Sequence, residues 1–203
     1  MKLNIANRLT LARIMLIPFF VFFIIYPVFT YEHVTWSRII AVAIFILAAL
    51  TDFLDGKIAR RRHLVTSFGK FMDPLADKFM VFSAMISMCF SDFIFSSDMF
   101  ISQGLMRNIF FWATLIVVFR ELGITSLRLV VSGKSGVVVA ASILGKVKTV
   151  SQIVCICMVI LEPIIFPTGG FMSLASILIM VVFTLWSGYQ YLMQFWSHIN
   201  PSE

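Results

Sequence analysis

Apolar stretches long enough to cross a lipid bilayer follow one another along almost the whole of this sequence. The helices that carry them are expected from about Leu9 to Phe29, Ser37 to Arg61 (apolar from Ile39 to Leu50), Gly69 toward Phe90, Arg107 to Val131, Val137 to Ile165 and Phe171 to Trp196. Roughly 20 apolar residues in a helix already span the hydrocarbon. Composition agrees: 60% of the 203 residues are hydrophobic, 13% are charged, and Phe alone occurs 22 times. A soluble domain of this length must turn much of its surface to water, and this chain lacks the polar residues to do so. The expectation is an all-α, polytopic integral membrane protein with six transmembrane helices behind a short N-terminal interfacial segment. No Pro/Gly/Ser-rich linker, repeat or low-complexity segment divides the chain, so residues 1–203 read as a single membrane domain.

The net charge of +6 does not point to nucleic acid. Much of the positive charge sits in short connections and at helix ends, where it orients a membrane protein and meets anionic phospholipid headgroups. Arg60, Arg61, Arg62 and Lys70 flank one connection, and Arg128 and Lys134 another on the same side; the opposite loops are expected to hold Glu32, Asp92, Asp98 and Glu162. The positive-inside rule then places the first side, with both termini, in the cytoplasm. Cys89, Cys155 and Cys157 all fall in apolar stretches without zinc-type spacing and read as small core residues. The start of the chain does not read as a cleavable signal peptide, because Arg8 and Arg13 interrupt its apolar run. Asn7, Thr10 and Arg13 recur at a three-residue step and share one helix face. That face suits either an interfacial anchor with a snorkelling Arg or the wall of a polar site.

The polar residues that interrupt this apolar background are concentrated between Asp52 and Asp77. Asp52 and Asp55 are three apart, and Asp73 and Asp77 four apart, so on helices each pair occupies one face. A short basic connection lets the two helices lie antiparallel with the pairs facing. Any one of these Asp residues alone reads as a helix-end charge paired with Lys57, Arg60, Lys70 or Lys78. Four together, in a membrane protein poor in acids, mark a functional site. Converging carboxylates repel one another unless cations sit among them, and hard oxygen donors favour Mg²⁺, Mn²⁺ or Ca²⁺ over zinc. Ions held there would clamp a pyrophosphate for displacement at phosphorus. Gly56 and Ala59 keep the face beside Asp55 shallow, Gly69 leaves room at the next helix, and Arg60 brings a planar fork to a phosphate. Together they outline a slot for a nucleotide.

A second polar group interrupts the later helices: Arg120 and Glu121 in the fourth, and G-K-V-K-T-V-S-Q from Gly145 to Gln152 in the fifth. It reads either as a buried Arg–Glu pair with snorkelling lysines, or as an anion pocket in which Arg120, Lys146 and Lys148, with Arg128, hold a phosphate.

The central stretch fits D-x-x-D-G-x-x-A-R-x8-G-x-x-x-D-x-x-x-D at Asp52, Asp55, Gly56, Ala59, Arg60, Gly69, Asp73 and Asp77. This resembles the signature of the CDP-alcohol phosphotransferases, and no motif position departs from it. Less specific local features look like family members that use glycerol 3-phosphate. They are N-x-x-N-R-L-T-L-A-R (Asn4 to Arg13), D-P-L-A-D-K (Asp73 to Lys78), and R-E-L (Arg120 to Leu122) followed by G-K-x-K-T-x-x-Q. The resemblance implies a transferase that moves a phosphatidyl group from CDP-diacylglycerol to glycerol 3-phosphate and releases CMP. It implies one or two Mg²⁺ or Mn²⁺ ions held by Asp52, Asp55, Asp73 and Asp77, with Asp77 also the general base. It implies a nucleotide pocket at Gly56, Ala59, Arg60 and Gly69, and a homodimer formed through membrane helices. Sibling transferases that take phosphatidylglycerol or inositol phosphate share the central motif. A divalent-cation transporter is the more distant alternative, and no line of polar residues continues across helices two and three to support one.

Overall fold

The computed structural model describes residues 5–26, 34–61, 67–95, 100–135, 143–165 and 168–196; for residues 5, 6, 52–61, 67, 68, 70, 71 and 132–135 it describes the backbone alone. The described residues form six α-helices: α1 Ile5–Ile25, α2 Val34–Arg61, α3 Ser67–Phe90, α4 Gln103–Ser135, α5 Ile143–Ile165 and α6 Phe171–Phe195. There is no strand among them. α1 begins at Ile5 rather than near Leu9, so Asn7, Thr10 and Arg13 belong to the membrane helix itself. α4 extends past both expected ends, and α5 begins at Ile143.

Among the described residues, four helices are long and apolar enough to cross a membrane: Asn7–Ile25, Val34–Thr51, Ile143–Ile165 and Phe171–Phe195. This is a multi-pass membrane protein. α3 carries Lys70, Asp73, Asp77 and Lys78 in its N-terminal half, and α4 carries Arg107, Arg120, Glu121, Arg128 and Lys134 along its length. Their lengths of 24 and 33 residues nevertheless correspond to roughly 36 and 50 Å of helix. Large apolar side chains such as Trp112, Phe119, Leu129 and Trp186 point outward, as lipid-facing residues do. Inside, Phe20, Ile24, Phe45, Met85, Met88, Phe110, Val159, Ile160 and Met180 close one core drawn from all six helices. α1 packs extensively along both α2 and α3, while α2 and α3 touch each other only slightly. α5 and α6 form a second close pair, joined to α4 through α6.

One end of the bundle is closed by hydrogen bonds to backbone. Glu162, expected in a loop, instead lies buried in the last turns of α5. The reason is the start of α6: Gly169 and Gly170 take positive φ of 64° and 90°, turning the chain sharply, and Gly170 brings no side chain to cap the helix. The Glu162 carboxylate does so from outside the turn. Oε1 accepts from the N–H of Gly170 at 2.9 Å and of Met172 at 3.2 Å, and from the Thr168 hydroxyl. Oε2 accepts from the Ser173 N–H at 2.7 Å and from its hydroxyl. An anion at a helix N-terminus also meets the positive end of the helix dipole. At the same end, Arg38 of α2 donates to the carbonyls of Phe93 and Ile94, and Gln103 Nε2 donates to Phe95 O at 2.8 Å. Glu32 and Asp98, expected on this side, lie outside the described residues.

Glu162→Ala would strip acceptors from several buried donors at once. It should lower the Tm of detergent-purified protein by about 5–10 °C, since each buried donor left unsatisfied costs about 1–3 kcal/mol. Thermal unfolding would check this, and an unchanged Tm would show that the cap is dispensable.

Candidate functional site

The helices alternate in direction, so the N-terminal ends of α1, α3 and α5 meet the C-terminal ends of α2, α4 and α6. Almost every charged side chain that is not at the closed end gathers here. α1 contributes the face of Asn7, Thr10 and Arg13. The structure turns that face inward: Thr10 is 1% exposed and Arg13 fully buried, so Arg13 does not reach outward to headgroups. The Thr10 hydroxyl donates to Oδ1 of Asp73 at 2.7 Å, tying α1 to the aspartate motif. Asp73 and Asp77 are both half-buried, one turn apart on α3, with Pro74 between them, which lacks an N–H to complete the helix ladder. Gly69, one turn before Asp73, is buried. The backbone of Asp52, Asp55, Gly56, Ala59 and Arg60 is helical in α2, and their side chains lie outside the described residues. Among the described residues no three His, Cys, Asp or Glu side chains converge; the described part of the motif is the pair Asp73 and Asp77. That pair is chemically suited to a hard cation: carboxylate oxygens on one helix face, neither of them fully buried.

Beside it lies the second polar group, centred on Glu121 of α4. Its Oε1 accepts from Arg120 Nη1 at 2.9 Å and from Lys148 Nζ of α5. Lys148 is 7% exposed. Arg120 Nη2 donates to Ser187 Oγ of α6 at 2.5 Å. Its approach is close enough that a Cβ on Gly188 would lie 3.2 Å from Arg120 Cγ. About two turns further along α4, Arg128 stacks 4.8 Å above the ring of Tyr191 and donates to its hydroxyl. Arg120 faces the same ring at 5.9 Å. Arg120 is paired with Glu121, as the reading of a buried Arg–Glu pair expected, but Lys148 joins that pair from the interior rather than snorkelling outward, and Arg128 lies alongside on Tyr191. Lys146 is exposed and stands apart from Lys148, because residues two apart on a helix point about 200° away from each other.

Several members of this group were not singled out by the sequence. Lys78, directly after Asp77, donates to the Thr125 hydroxyl of α4 and lies within electrostatic reach of Glu121, Lys148, Arg128 and Asp77. Ser187, Gly188 and Tyr191 come from α6. The signal available for these was the run of small and polar residues Thr184, Ser187, Gly188 and Tyr191 at three- and four-residue steps in an otherwise apolar helix. Among the described residues, four cations, Lys78, Arg120, Arg128 and Lys148, thus gather near Glu121, with Asp77 beside Lys78. Nε of Arg120, Nε of Arg128 and Nε2 of Gln152 are buried donors without an acceptor among the described residues. Such an arrangement is short of negative charge and attracts an anion.

The architecture defines an all-helical membrane protein with a carboxylate site and an anion pocket at one end of the bundle. A family model described as CDP-alcohol phosphatidyltransferase matches residues 3–186, and the chain belongs to that family. Members of the family generally depend on a divalent cation. The chain is 35% identical to the CDP-diacylglycerol–glycerol-3-phosphate 3-phosphatidyltransferase of Bacillus subtilis strain 168, over 98% of this chain and 99% of that one. It is 38% identical to the protein of the same name from Escherichia coli K12, over 95% and 94%. It is 34% identical to a probable phosphatidylglycerophosphate synthase of Mycobacterium tuberculosis H37Rv, over 93% and 79%.

Thr10→Val keeps the volume of residue 10 and removes the hydroxyl that orients Asp73. It should weaken Mn²⁺ binding several-fold, measured by electron paramagnetic resonance of the free ion, and Thr10→Ser should restore it. Equal Mn²⁺ affinity in all three proteins would separate Thr10 from the cation site.

Proposed function

We propose that this protein transfers the phosphatidyl group of CDP-diacylglycerol to sn-glycerol 3-phosphate, releasing CMP, in the synthesis of phosphatidylglycerol. The observation that carries this reading is the adjacency of two unlike sites. An anion pocket begins at Lys78, the residue next to Asp77, so an acceptor held by its phosphate lies beside a carboxylate able to take its proton. Serine or a neutral alcohol would leave the four cations around Glu121 without a counter-charge. The names of the relatives support the choice of glycerol 3-phosphate among phosphorylated acceptors.

In this reading all six helices cross the membrane. α3 and α4 support it by running between the same two ends as their apolar neighbours. The site end and both termini face the cytoplasm, in keeping with the basic residues on that side. CDP-diacylglycerol enters from the inner leaflet with its acyl chains in lipid. Gly56, Ala59, Arg60 and Gly69 receive its nucleotide. Asp52, Asp55, Asp73 and Asp77 hold Mg²⁺ or Mn²⁺, one or two ions, which when bound offset the charge of the pyrophosphate. Thr10 keeps Asp73 aimed, and Asn7 and Arg13 extend the same wall. Arg120, Arg128 and Lys148, with Lys146 at the exposed rim, receive the acceptor's phosphate. Its 1-hydroxyl then attacks the phosphorus that carries diacylglycerol. The proton passes to the Asp77 carboxylate, the new O–P bond forms, and the bond to CMP breaks with its electron pair leaving on CMP. The protein is expected to work as a homodimer joined through membrane helices.

CMP release by purified protein with CDP-diacylglycerol and Mg²⁺ or Mn²⁺ tests the reading. Acceptors would be added singly: glycerol 3-phosphate, serine, inositol phosphate and phosphatidylglycerol. Release should need both the metal and glycerol 3-phosphate; release with another acceptor alone would overturn the substrate assignment. Asp77→Asn should abolish turnover while sparing most CDP-diacylglycerol binding, and normal turnover in that variant would remove Asp77 as the base. Lys148→Ala should raise KM for glycerol 3-phosphate more than for CDP-diacylglycerol; equal rises would argue against a role in acceptor binding.

A further inference from the structure

We infer that Lys78 is a substrate-binding residue that grips the acceptor's phosphate from the α3 side and sets the preference for a phosphorylated acceptor. The inference rests on the function proposed above and deepens it: Lys78 borders the anion pocket there without being given a contact to the acceptor or a part in its selection. Its basis is where the ammonium goes. Lys78 follows Asp77 on α3, yet its Nζ reaches across to α4 and donates to the Thr125 hydroxyl. That hydroxyl already donates its own proton to the Glu121 carbonyl at 2.7 Å, so toward Lys78 it serves as an acceptor. Glu121, Thr125 and Arg128 are spaced by four and three residues and form one stripe of α4. Lys78 therefore enters the stripe between the residue that collects Arg120 and Lys148 and the residue stacked on Tyr191.

A helix rises 1.5 Å per residue, so this point is about 5–6 Å along the axis from each neighbour. That spacing lets a single phosphate touch cations above and below it. An ammonium carries three donors. Among the described residues Thr125 is the hydrogen-bond partner of Lys78, leaving donor capacity for an anion. Glu121 is already bonded to Arg120 and Lys148, and with Lys78 and Arg128 beside them the four cations outnumber Glu121 and Asp77, the carboxylates within electrostatic reach of Lys78 among the described residues, leaving a shortfall of negative charge. A phosphomonoester with about two negative charges meets that shortfall. Because Lys78 and Asp77 are consecutive, a phosphate on Lys78 also fixes how far the acceptor's hydroxyl lies from the base.

The competing role is structural: Lys78 would merely tie α3 to α4 through Thr125. Glycerol separates the two, because it offers the same hydroxyl without the phosphate. Lys78→Gln and Lys78→Met would be compared with the wild-type full chain in detergent. Readouts would be CMP release with glycerol 3-phosphate and with glycerol, and equilibrium binding of radiolabelled glycerol 3-phosphate. KM for glycerol 3-phosphate should rise roughly tenfold or more, as loss of a charge-assisted contact implies. KM for CDP-diacylglycerol should change much less, and the rate with glycerol should fall by a much smaller factor than the rate with glycerol 3-phosphate. Lys78→Arg should recover part of the binding. Equal loss with both acceptors, or unchanged glycerol 3-phosphate binding, would overturn the inference. If neither variant folds, as judged by size exclusion and Tm, Lys78→Arg and Thr125→Val carry the test. Thr125→Val frees the ammonium from its anchor and should raise KM for glycerol 3-phosphate selectively, whereas an equal effect on both acceptors would overturn the assignment. Failure of the wild-type protein to use glycerol 3-phosphate at all would instead overturn the parent proposal.

Discussion

Two cations about 4 Å apart repel by roughly 4 kcal/mol at the intermediate dielectric of a partly buried site. Arg120 and Lys148 can share the inner end of this bundle because the Glu121 carboxylate lies between them and bonds both. That contact is also what joins α4 to α5 at the site. Through Arg120, Ser187 and Tyr191 it reaches α6, and through Thr125 it reaches Lys78 on α3. Removing the carboxylate would leave buried positive charge with no local compensation, a far larger disturbance than losing one hydrogen bond. Glu121 bonds Arg120 and Lys148, while Arg128 and Lys78 bond neutral hydroxyls close by; in the proposed function it is this excess of positive charge that receives an anion.

The two ends of the bundle are built on different principles. At the closed end, Glu162, Arg38 and Gln103 bond mainly to main-chain groups, which have no alternative rotamers and hold the helix ends in a fixed relation. At the site end the polar contacts run from side chain to side chain: Thr10 to Asp73, Lys78 to Thr125, Arg120 to Ser187, Arg128 to Tyr191. Such contacts can be exchanged for contacts with a ligand without disturbing the helix ladder. A rigid end and an adaptable end, linked by one apolar core, suit a protein that must admit a charged substrate at a membrane surface while keeping its helices in place.

Much of this was legible in the sequence because membrane helices announce themselves by long apolar runs, and because four acids in such a chain have few innocent explanations. The six helices, the inward concentration of Asp73 and Asp77, and the company of Arg120 with Lys148 all follow from spacing. What was not legible depends on which side of a helix faces a neighbour. Asn7, Thr10 and Arg13 could have faced lipid headgroups or the interior; only the packing of α1 along both α2 and α3 decides it. Glu162 looked like a loop acid because its partners are backbone N–H groups beyond a two-glycine turn, and main-chain donors leave no mark in a sequence. Lys146 is the opposite case. Helical period alone separates it from Lys148, and the shared basic character of the two masked that geometry.

The arrangement of the site also bears on how the protein is made. Its parts come from nearly the full length of the chain: Thr10 on the first helix, Asp73 and Lys78 on the third, Glu121 on the fourth, Lys148 on the fifth, Ser187 and Tyr191 on the last. During synthesis the early helices enter the membrane with carboxylates and cations that do not yet have their final neighbours. The anion pocket acquires its back wall only when α6 is in place. Any nascent chain still lacking that helix holds an incomplete set of contacts, so a half-made protein has no finished site with which to engage a nucleotide-activated lipid, and assembly itself keeps the chemistry silent until the bundle is whole.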